Sequence, residues 1–186
     1  MYGFLVPLLV GFGFHLASTF TTAHSRRWGE RAGRRLTFAL RVLLGMPLWI
    51  LGLTLAIRAP SAPLLGPFPA LEILGWLMVA AGVLPMTLGL AALGPVAAIP
   101  SVRDSLIHGG VYARVRHPIY AGMLLEFLGI GLLRTSPEAL LACGLGLAWI
   151  VVQARLEEED LLERLPLYRD YMARVPAFLP RIHRRN

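Results

Sequence analysis

Two stretches of the sequence place polar side chains that could take part in binding or catalysis directly beside long apolar segments. The first, residues 109–122, reads GGVYARVRHPIYAG and brings Arg116, His117 and Tyr120 to the start of the apolar run that follows Pro118. Proline suits the first turn of a helix, where free N–H groups and a partial positive charge favour an anionic ligand group. The alternative is that the arginines are only topology signals and the tyrosines only interfacial anchors.

The second stretch, residues 153–171, reads QARLEEEDLLERLPLYRDY and follows the last apolar run. On a continuing helix Arg155 and Glu159 stand four residues apart, with Glu158 three from Arg155, so these side chains share a face. An acidic run of this kind is also typical of a solvated helix face. If the two apolar runs form a hairpin, their ends meet, and His117 and Tyr120 then lie near Glu157 to Glu159.

The elements that must position these groups are apolar. Of 186 residues 56% are hydrophobic, and the mean hydropathy is +0.62, which indicates an integral membrane protein. The N-terminal segment lacks a basic leader and is interpreted as a retained first span. The last two segments are short, and RTSP alone separates them, which favours a tight helical hairpin. The predicted fold is one all-α, polytopic membrane domain over 1–186, with a C-terminal hairpin, a cytoplasmic tail and about five transmembrane helices, at about 1–22, 36–57, 71–93, 118–133 and 138–154.

The arginines predict the orientation of these spans. Segments 23–35, 94–117 and 155–186 carry fifteen arginines together, whereas segment 58–70 and the hairpin tip carry one each. Basic residues concentrate in cytoplasmic segments, so we expect the N-terminus outside and the C-terminus inside. Five spans require the two termini to lie on opposite sides of the membrane, so the number of spans agrees with the arginine count.

Other residue patterns exclude several classes of function. Cys143 is the single cysteine, which leaves no disulfide framework, and the five histidines are spread without metal-ligand spacing. The arginines are dispersed and no nucleic-acid motif accompanies them, so neither a metal nor a nucleic-acid partner is expected. His15 and His24 are interpreted as interfacial, and His183 as part of a basic tail.

Glu126 is an ionisable residue inside the fourth apolar segment. A charge at such a position is costly and usually faces a cavity or a partner. Either a functional role or a structural pair with Arg41 of the second segment would account for it.

The motifs together resemble the isoprenylcysteine carboxyl methyltransferase family, which is related to the phospholipid methyltransferases. The family signature, roughly H-x-L-V-x-x-G-x-Y-x-x-x-R-H-P-x-Y-x-G, matches DSLIHGGVYARVRHPIYAG without a gap. The tail adds an arginine followed by glutamates, two tyrosines and VPAFLP at 175–180, so the resemblance covers about 104–186. Two departures are Asp104, where a histidine is common, and a shorter LPLY spacing.

The resemblance implies S-adenosylmethionine as cofactor, held at the cytoplasmic ends of the last two spans and covered by the tail. The implied cofactor-binding residues are Leu106, Ile107, Gly110, Val111, Tyr112, Arg116, His117, Pro118, Tyr120 and Glu157. The implied catalytic residues are Arg155, Glu158 and Glu159. The glutamate register stays open, because alignment on Arg155 favours Glu159 and alignment on the leucines favours Glu157 and Glu158.

Methyl transfer requires mainly alignment of donor and acceptor. In this interpretation a carboxylate positions the cationic cofactor, and Arg155 holds an anionic acceptor or orients that carboxylate. The acceptor is lipid-like, either a prenylcysteine-type carboxylate or a phospholipid-type amine, and membrane lipids are the expected surroundings. Two alternatives remain: a membrane reductase that uses NADPH and shares a related C-terminal pattern, and a non-enzymatic scaffold whose glycines serve helix packing.

Overall fold

A computed structural model describes residues 2–66 and 68–181 of the chain. Over these residues the fold is entirely helical, without a strand, which confirms the predicted all-α membrane architecture. The helices are α1 (Leu5–Ala17), α2 (Thr21–Trp28), α3 (Glu30–Phe38), α4 (Met46–Ile57), α5 (Pro69–Leu93), α6 (Pro118–Leu133), α7 (Pro137–Arg164) and α8 (Tyr168–Arg174). A π-helical segment, Ala39–Gly45, joins α3 to α4, and short 3₁₀ turns lie at Gly94–Ala97 and Gly110–Ala113.

The five predicted apolar segments are all helical, but they are not five equivalent spans. Three helices within the described ranges are long and apolar enough to cross a membrane: Glu30–Ile57, Pro69–Ala97 and Pro137–Arg164. A fourth is present if α1 and α2, which are bent by 67° at the break between them, count as one span. The predicted hairpin is unequal, since α6 has 16 residues whereas α7 continues for 28. The final helix therefore carries the acidic run on the same rigid element as its apolar part.

Helices α5 and α6 pack closely along a row of glycines. A Cβ atom built on Gly82 would lie 2.5 Å from the carbonyl oxygen of Gly122, and one on Gly129 would lie 2.7 Å from that of Gly75. Small residues let helix backbones approach in this way within membranes. The crossing sets the start of α6, and with it His117, beside the C-terminal end of α5.

Helices α1, α4 and α7 form the other half of the core. Phe12 of α1 stacks on Trp149 of α7 with ring centroids 4.5 Å apart, and Leu8 and Ile150 are fully buried. The outer faces of α4 and α5 expose large apolar side chains, including Leu55 and Trp76. An apolar exterior of this extent suits a bilayer, because soluble proteins seldom expose so much contiguous apolar surface.

Candidate functional site

A cavity opens between the ends of the helices and runs into the bundle. Its outer end is formed by the loop at 104–107, the start of α6, the polar end of α7 and α8, and it includes Tyr112, His117, Glu157 and Tyr168. Its inner end lies among α1, the π-helical segment, α4 and α7. One continuous space thus connects the polar motifs with the apolar interior.

Glu158 is the centre of an ion-pair cluster at the outer end. Its Oε1 accepts from Arg116 Nε at 2.9 Å and lies 2.8 Å from His117 Nε2. Arg116 Nη2 approaches the same oxygen at 2.8 Å, and both side chains of this pair are mostly buried. Charge-assisted bonds of this type are stronger than neutral ones, so the cluster fixes α6 to α7.

The C-terminal tail is attached to the same cluster. Arg116 Nη1 donates to the carbonyl oxygens of Met172 at 2.9 Å and Val175 at 2.6 Å. The backbone N–H groups of Arg116 and His117 donate to the carbonyls of Pro176 at 2.8 Å and Ala177 at 2.9 Å. The tail therefore folds back across the start of α6.

Tyr120 and Glu157 form a second pair, one helical turn further along α6. The hydroxyl of Tyr120 donates to Glu157 Oε2 at 2.7 Å. The Tyr120 ring stacks on His117 with centroids 5.5 Å apart. Tyr120 and Glu157 both line the cavity, so the Glu157 carboxylate is held in a fixed orientation in the cavity wall.

Three tyrosines surround the outer end. Tyr171 donates its hydroxyl to the backbone carbonyl of Tyr112 at 2.6 Å, which joins α8 to the motif loop. Burial raises the pKa of Tyr171 to about 12, against the lowering effect of Arg116. Burial also raises the pKa of Tyr112 and Tyr168 well above the ordinary value, with negative charge at Glu157 adding to it. All three phenols are therefore neutral at physiological pH.

The local backbone follows from the motif residues. Gly110 has φ +60, a left-handed conformation that glycine adopts without a steric penalty. Pro118 occupies the first turn of α6, as the sequence predicts. Residues 105–108 have no regular structure, and their N–H groups form no hydrogen bond to the described part of the backbone. Their donors are therefore available to a ligand.

The structure brings together most, but not all, of the residues singled out from sequence. Those that line the cavity are Leu106, Ile107, Tyr112, Arg116, His117, Tyr120 and Glu157. Gly110, Val111 and Pro118 shape the loop and the helix start without lining the cavity, and Glu158 acts through Arg116 and His117.

Arg155 and Glu159 lie elsewhere. Both are exposed on α7, neither lines the cavity, and within the described ranges they form no ion pair with each other. The expected pairing at four-residue spacing is not formed, because the helix turns Glu157 and Glu158 towards α6 and turns these two side chains outwards. Of the two sequence registers, the geometry favours Glu157 and Glu158.

Several residues of the cavity have no signal in a motif. His15, expected at an interface, is only 8% exposed and lines the inner end together with Trp49 and Trp149. Arg41 does not pair with Glu126; it bonds to Ser18 Oγ and to the carbonyl of Ala97. The sequence offered one signal for this part of the cavity: Arg41 is an arginine within an apolar segment, and such an arginine usually faces a cavity.

Comparison with known proteins finds similarity in the part of the chain that forms the outer end of the cavity. The family model of phospholipid methyltransferases matches residues 71–168, which confirms the resemblance to this group of methyltransferases. The cobalt-zinc-cadmium resistance protein CzcN of Cupriavidus metallidurans is 36% identical over 81 residues, 42% of this chain and 37% of that protein. The nickel-cobalt-cadmium resistance protein NccN of Alcaligenes xylosoxydans xylosoxydans is 34% identical over 79 residues, 41% of this chain and 37% of that protein.

These matches span little more than a third of the length of the two curated relatives. No solved structure matches the chain. The match to the family includes nearly all of α5, the loop that follows it, α6, α7 and the first residue of α8, and it excludes α1 to α4.

Proposed function

This chain belongs to the phospholipid methyltransferase family, and we propose that it transfers a methyl group from S-adenosylmethionine to a lipid-like acceptor in the membrane. The observation that carries the proposal is that the motif residues line one cavity which extends from the loop at 104–107 into the helical bundle. A soluble cofactor can enter such a cavity from the loop side, and an acceptor with an apolar body can enter from the bilayer.

The chemistry of the outer end fits this cofactor. Glu157 and Asp104 offer carboxylates to its ammonium and hydroxyl groups, and the free backbone N–H groups of 105–108 suit the edge of a base. The neutral rings of Tyr112 and Tyr168 offer faces to an adenine or to a sulfonium cation. We propose that these groups, with Leu106, Ile107, His117 and Tyr120, hold the cofactor.

When bound, S-adenosylmethionine supplies an electrophilic methyl carbon: the C–S electron pair returns to sulfur as an acceptor lone pair forms the new bond. The protein has mainly to align donor and acceptor in a water-poor space. Glu158 serves as a positioning residue, since it holds Arg116 and His117, and Arg116 in turn holds the tail. A carboxylate acceptor needs no base in this scheme, whereas a protonated amine must first lose a proton.

The names of the relatives refer to resistance to metals, but the site does not suggest metal chemistry. Within the described ranges no group of three His, Cys, Asp or Glu side chains could share a metal ion. The proposed function therefore uses the family and the cavity and takes nothing from the relatives' names.

The decisive experiment compares S-adenosylmethionine with NADPH for binding to the full chain in detergent. We expect saturable binding of S-adenosylmethionine, weakened at least tenfold in His117→Ala, with unchanged helicity. Binding of NADPH alone would favour the membrane reductase, and binding of neither would favour the scaffold.

We also propose the orientation that the arginines predict, with the N-terminus outside and the cofactor site in the cytoplasm. A reporter inserted near residue 64 should be external, and one fused after Asn186, a residue outside the described ranges, should be cytoplasmic. The same side for both reporters would contradict the orientation and the five-span prediction.

A further inference from the structure

The inner end of the cavity contains a cation and several polar atoms that the proposed methyl transfer has not used. We call the space lined by His15, Arg41, Trp49 and Trp149 the inner chamber. We infer that the inner chamber binds an oxyanion of the acceptor, a carboxylate or a phosphate, with Arg41 as the counter-charge. This inference rests on the proposed function in one respect, namely that the bound ligand is the methyl acceptor.

Arg41 is a buried cation without a carboxylate partner. Its residue is 8% exposed, and it forms no ion pair within the described part of the chain. Its Nε donates to Ser18 Oγ at 3.2 Å and its Nη1 to the carbonyl of Ala97 at 2.9 Å. These neutral acceptors orient the guanidinium without supplying a negative charge in direct contact with it, which a bound anion would supply.

The residues that line the inner chamber with Arg41 also carry polar atoms without hydrogen-bond partners among the described residues. His15 Nδ1, Trp49 Nε1 and Trp149 Nε1 are buried and form no hydrogen bond to any described residue. An indole N–H can only donate, and a buried donor left unpaired is destabilising. Arg41, which lines the cavity, is likewise only a donor, so a ligand that pairs with it supplies acceptor atoms, as an oxyanion does. A protonated amine would supply donors and a second positive charge.

Arg41 lies in the π-helical segment Ala39–Gly45, which interrupts the α-helix between α3 and α4. Such single-turn distortions occur frequently at functional sites. The lining next to the inner chamber also includes the apolar side chains of Met46 and Met123. Methionine side chains adapt to irregular apolar shapes. The chamber thus combines a site for a charged oxygen group with space for an apolar body.

The alternative is that Arg41 only ties α1 to the end of α5 through Ser18 and Ala97. The two roles are separable, because a structural tie predicts loss of stability without any preference for anionic ligands. Arg34 provides a matched control, since it precedes Arg41 by seven residues in the same helical stretch and is exposed.

The test is a fluorescence titration of the full chain in an uncharged detergent, without S-adenosylmethionine. Replacing the exposed Trp28 and Trp76 by Phe leaves Trp49 and Trp149 as the only tryptophans. The ligands are tetradecanoate, tetradecyl phosphate and tetradecanol, which share a chain length. We expect saturable binding of at least one anion at least tenfold tighter than the alcohol, and the tighter anion identifies the source of the oxyanion.

The arginine variants complete the test. Arg41→Gln should reduce the ratio of anion affinity to alcohol affinity at least tenfold, while its affinity for S-adenosylmethionine changes less than twofold. Arg34→Gln should retain the preference for the anion. Equal binding of anions and alcohol by the Trp28→Phe/Trp76→Phe protein, or equal losses in both arginine variants, overturns the inference. If Arg41→Gln does not fold, two other results decide between anion binding and a purely structural role. These are the comparison of the anions with the alcohol, and whether Arg41→Lys retains the preference for the anion. Anion binding with no binding of S-adenosylmethionine would reject the proposed function and leave the anion site intact.

Discussion

The two ends of the cavity differ in how their polar groups are satisfied. At the outer end the charged side chains of the two motifs are paired: Glu158 with Arg116 and His117, and Glu157 with Tyr120. At the inner end His15 Nδ1 and two indole nitrogens have no partner among the described residues, and Arg41 forms no ion pair with any of them. Buried polar groups are usually paired, so an unpaired set is expected where a ligand completes it.

The difference teaches that the two ends have different tasks. A paired network is rigid, and it suits a site that must hold one cofactor and one tail in a fixed arrangement. An unpaired set is costly in the free protein, and its cost is recovered only when the matching ligand binds. We therefore expect changes at the outer end to affect structure and cofactor binding together, and changes at the inner end to affect the acceptor alone.

The largest effect is expected from Glu158→Gln. The change removes the charge that Arg116 and His117 share, and a charge-assisted hydrogen bond contributes about 1.5–3 kcal/mol. We expect faster amide hydrogen exchange in residues 171–178, because Arg116 also anchors the tail. Methyl transfer should fall by roughly 100-fold, which corresponds to about 2.7 kcal/mol.

The matched control for that change is Glu159→Gln, one residue along the same helix and exposed. It should leave tail exchange unchanged and alter the free energy of unfolding by less than about 0.5 kcal/mol. Equal effects of the two glutamine variants would show that the contacts of Glu158 with Arg116 and His117 matter no more than the exposed position of Glu159.

An intermediate effect is expected from Tyr120→Phe. The ring and its contact with His117 remain, but Glu157 loses the hydroxyl that donates to it at 2.7 Å. Loss of one such bond costs about 1–1.5 kcal/mol, so the dissociation constant for S-adenosylmethionine should rise roughly tenfold. Isothermal titration in detergent measures it, with Tyr2→Phe, an exposed position, as the control. Unchanged affinity would place Glu157 outside the cofactor site.

The sequence could predict the outer end of the cavity because two short segments with characteristic residue types form this end. Pro118 marks the helix start, and the glutamates follow an apolar run, so local rules position both motifs. The hairpin then brings Tyr120 to Glu157. The apolar segments also predicted the all-helical fold, since hydropathy is a strong signal in membrane proteins.

The inner end could not be predicted in the same way. His15, Arg41, Trp49 and Trp149 come from distant positions, and no spacing connects them. Their proximity depends on close crossings such as that of Gly52 with Leu8, where a Cβ atom would lie 2.5 Å from a backbone nitrogen. The count of five spans is not confirmed for a related reason, because the 67° bend between α1 and α2 and the unequal lengths of α6 and α7 depend on tertiary packing.

The smallest effect is expected from Arg155→Ala, although the sequence alone made Arg155 a catalytic candidate. Its side chain is exposed on α7, and no described residue forms an ion pair with it. Surface changes of this type alter stability by less than about 0.5 kcal/mol, so methyl transfer should change by roughly twofold or less. Arg155 and Arg41 thereby become competing candidates for the cation that meets the acceptor, and steady-state kinetics of the two variants distinguish them. A higher KM in Arg41→Gln with a normal Arg155→Ala supports the inner chamber. The reverse pattern would move acceptor recognition to the surface of α7 and would leave Arg41 as a tie between α1 and α5.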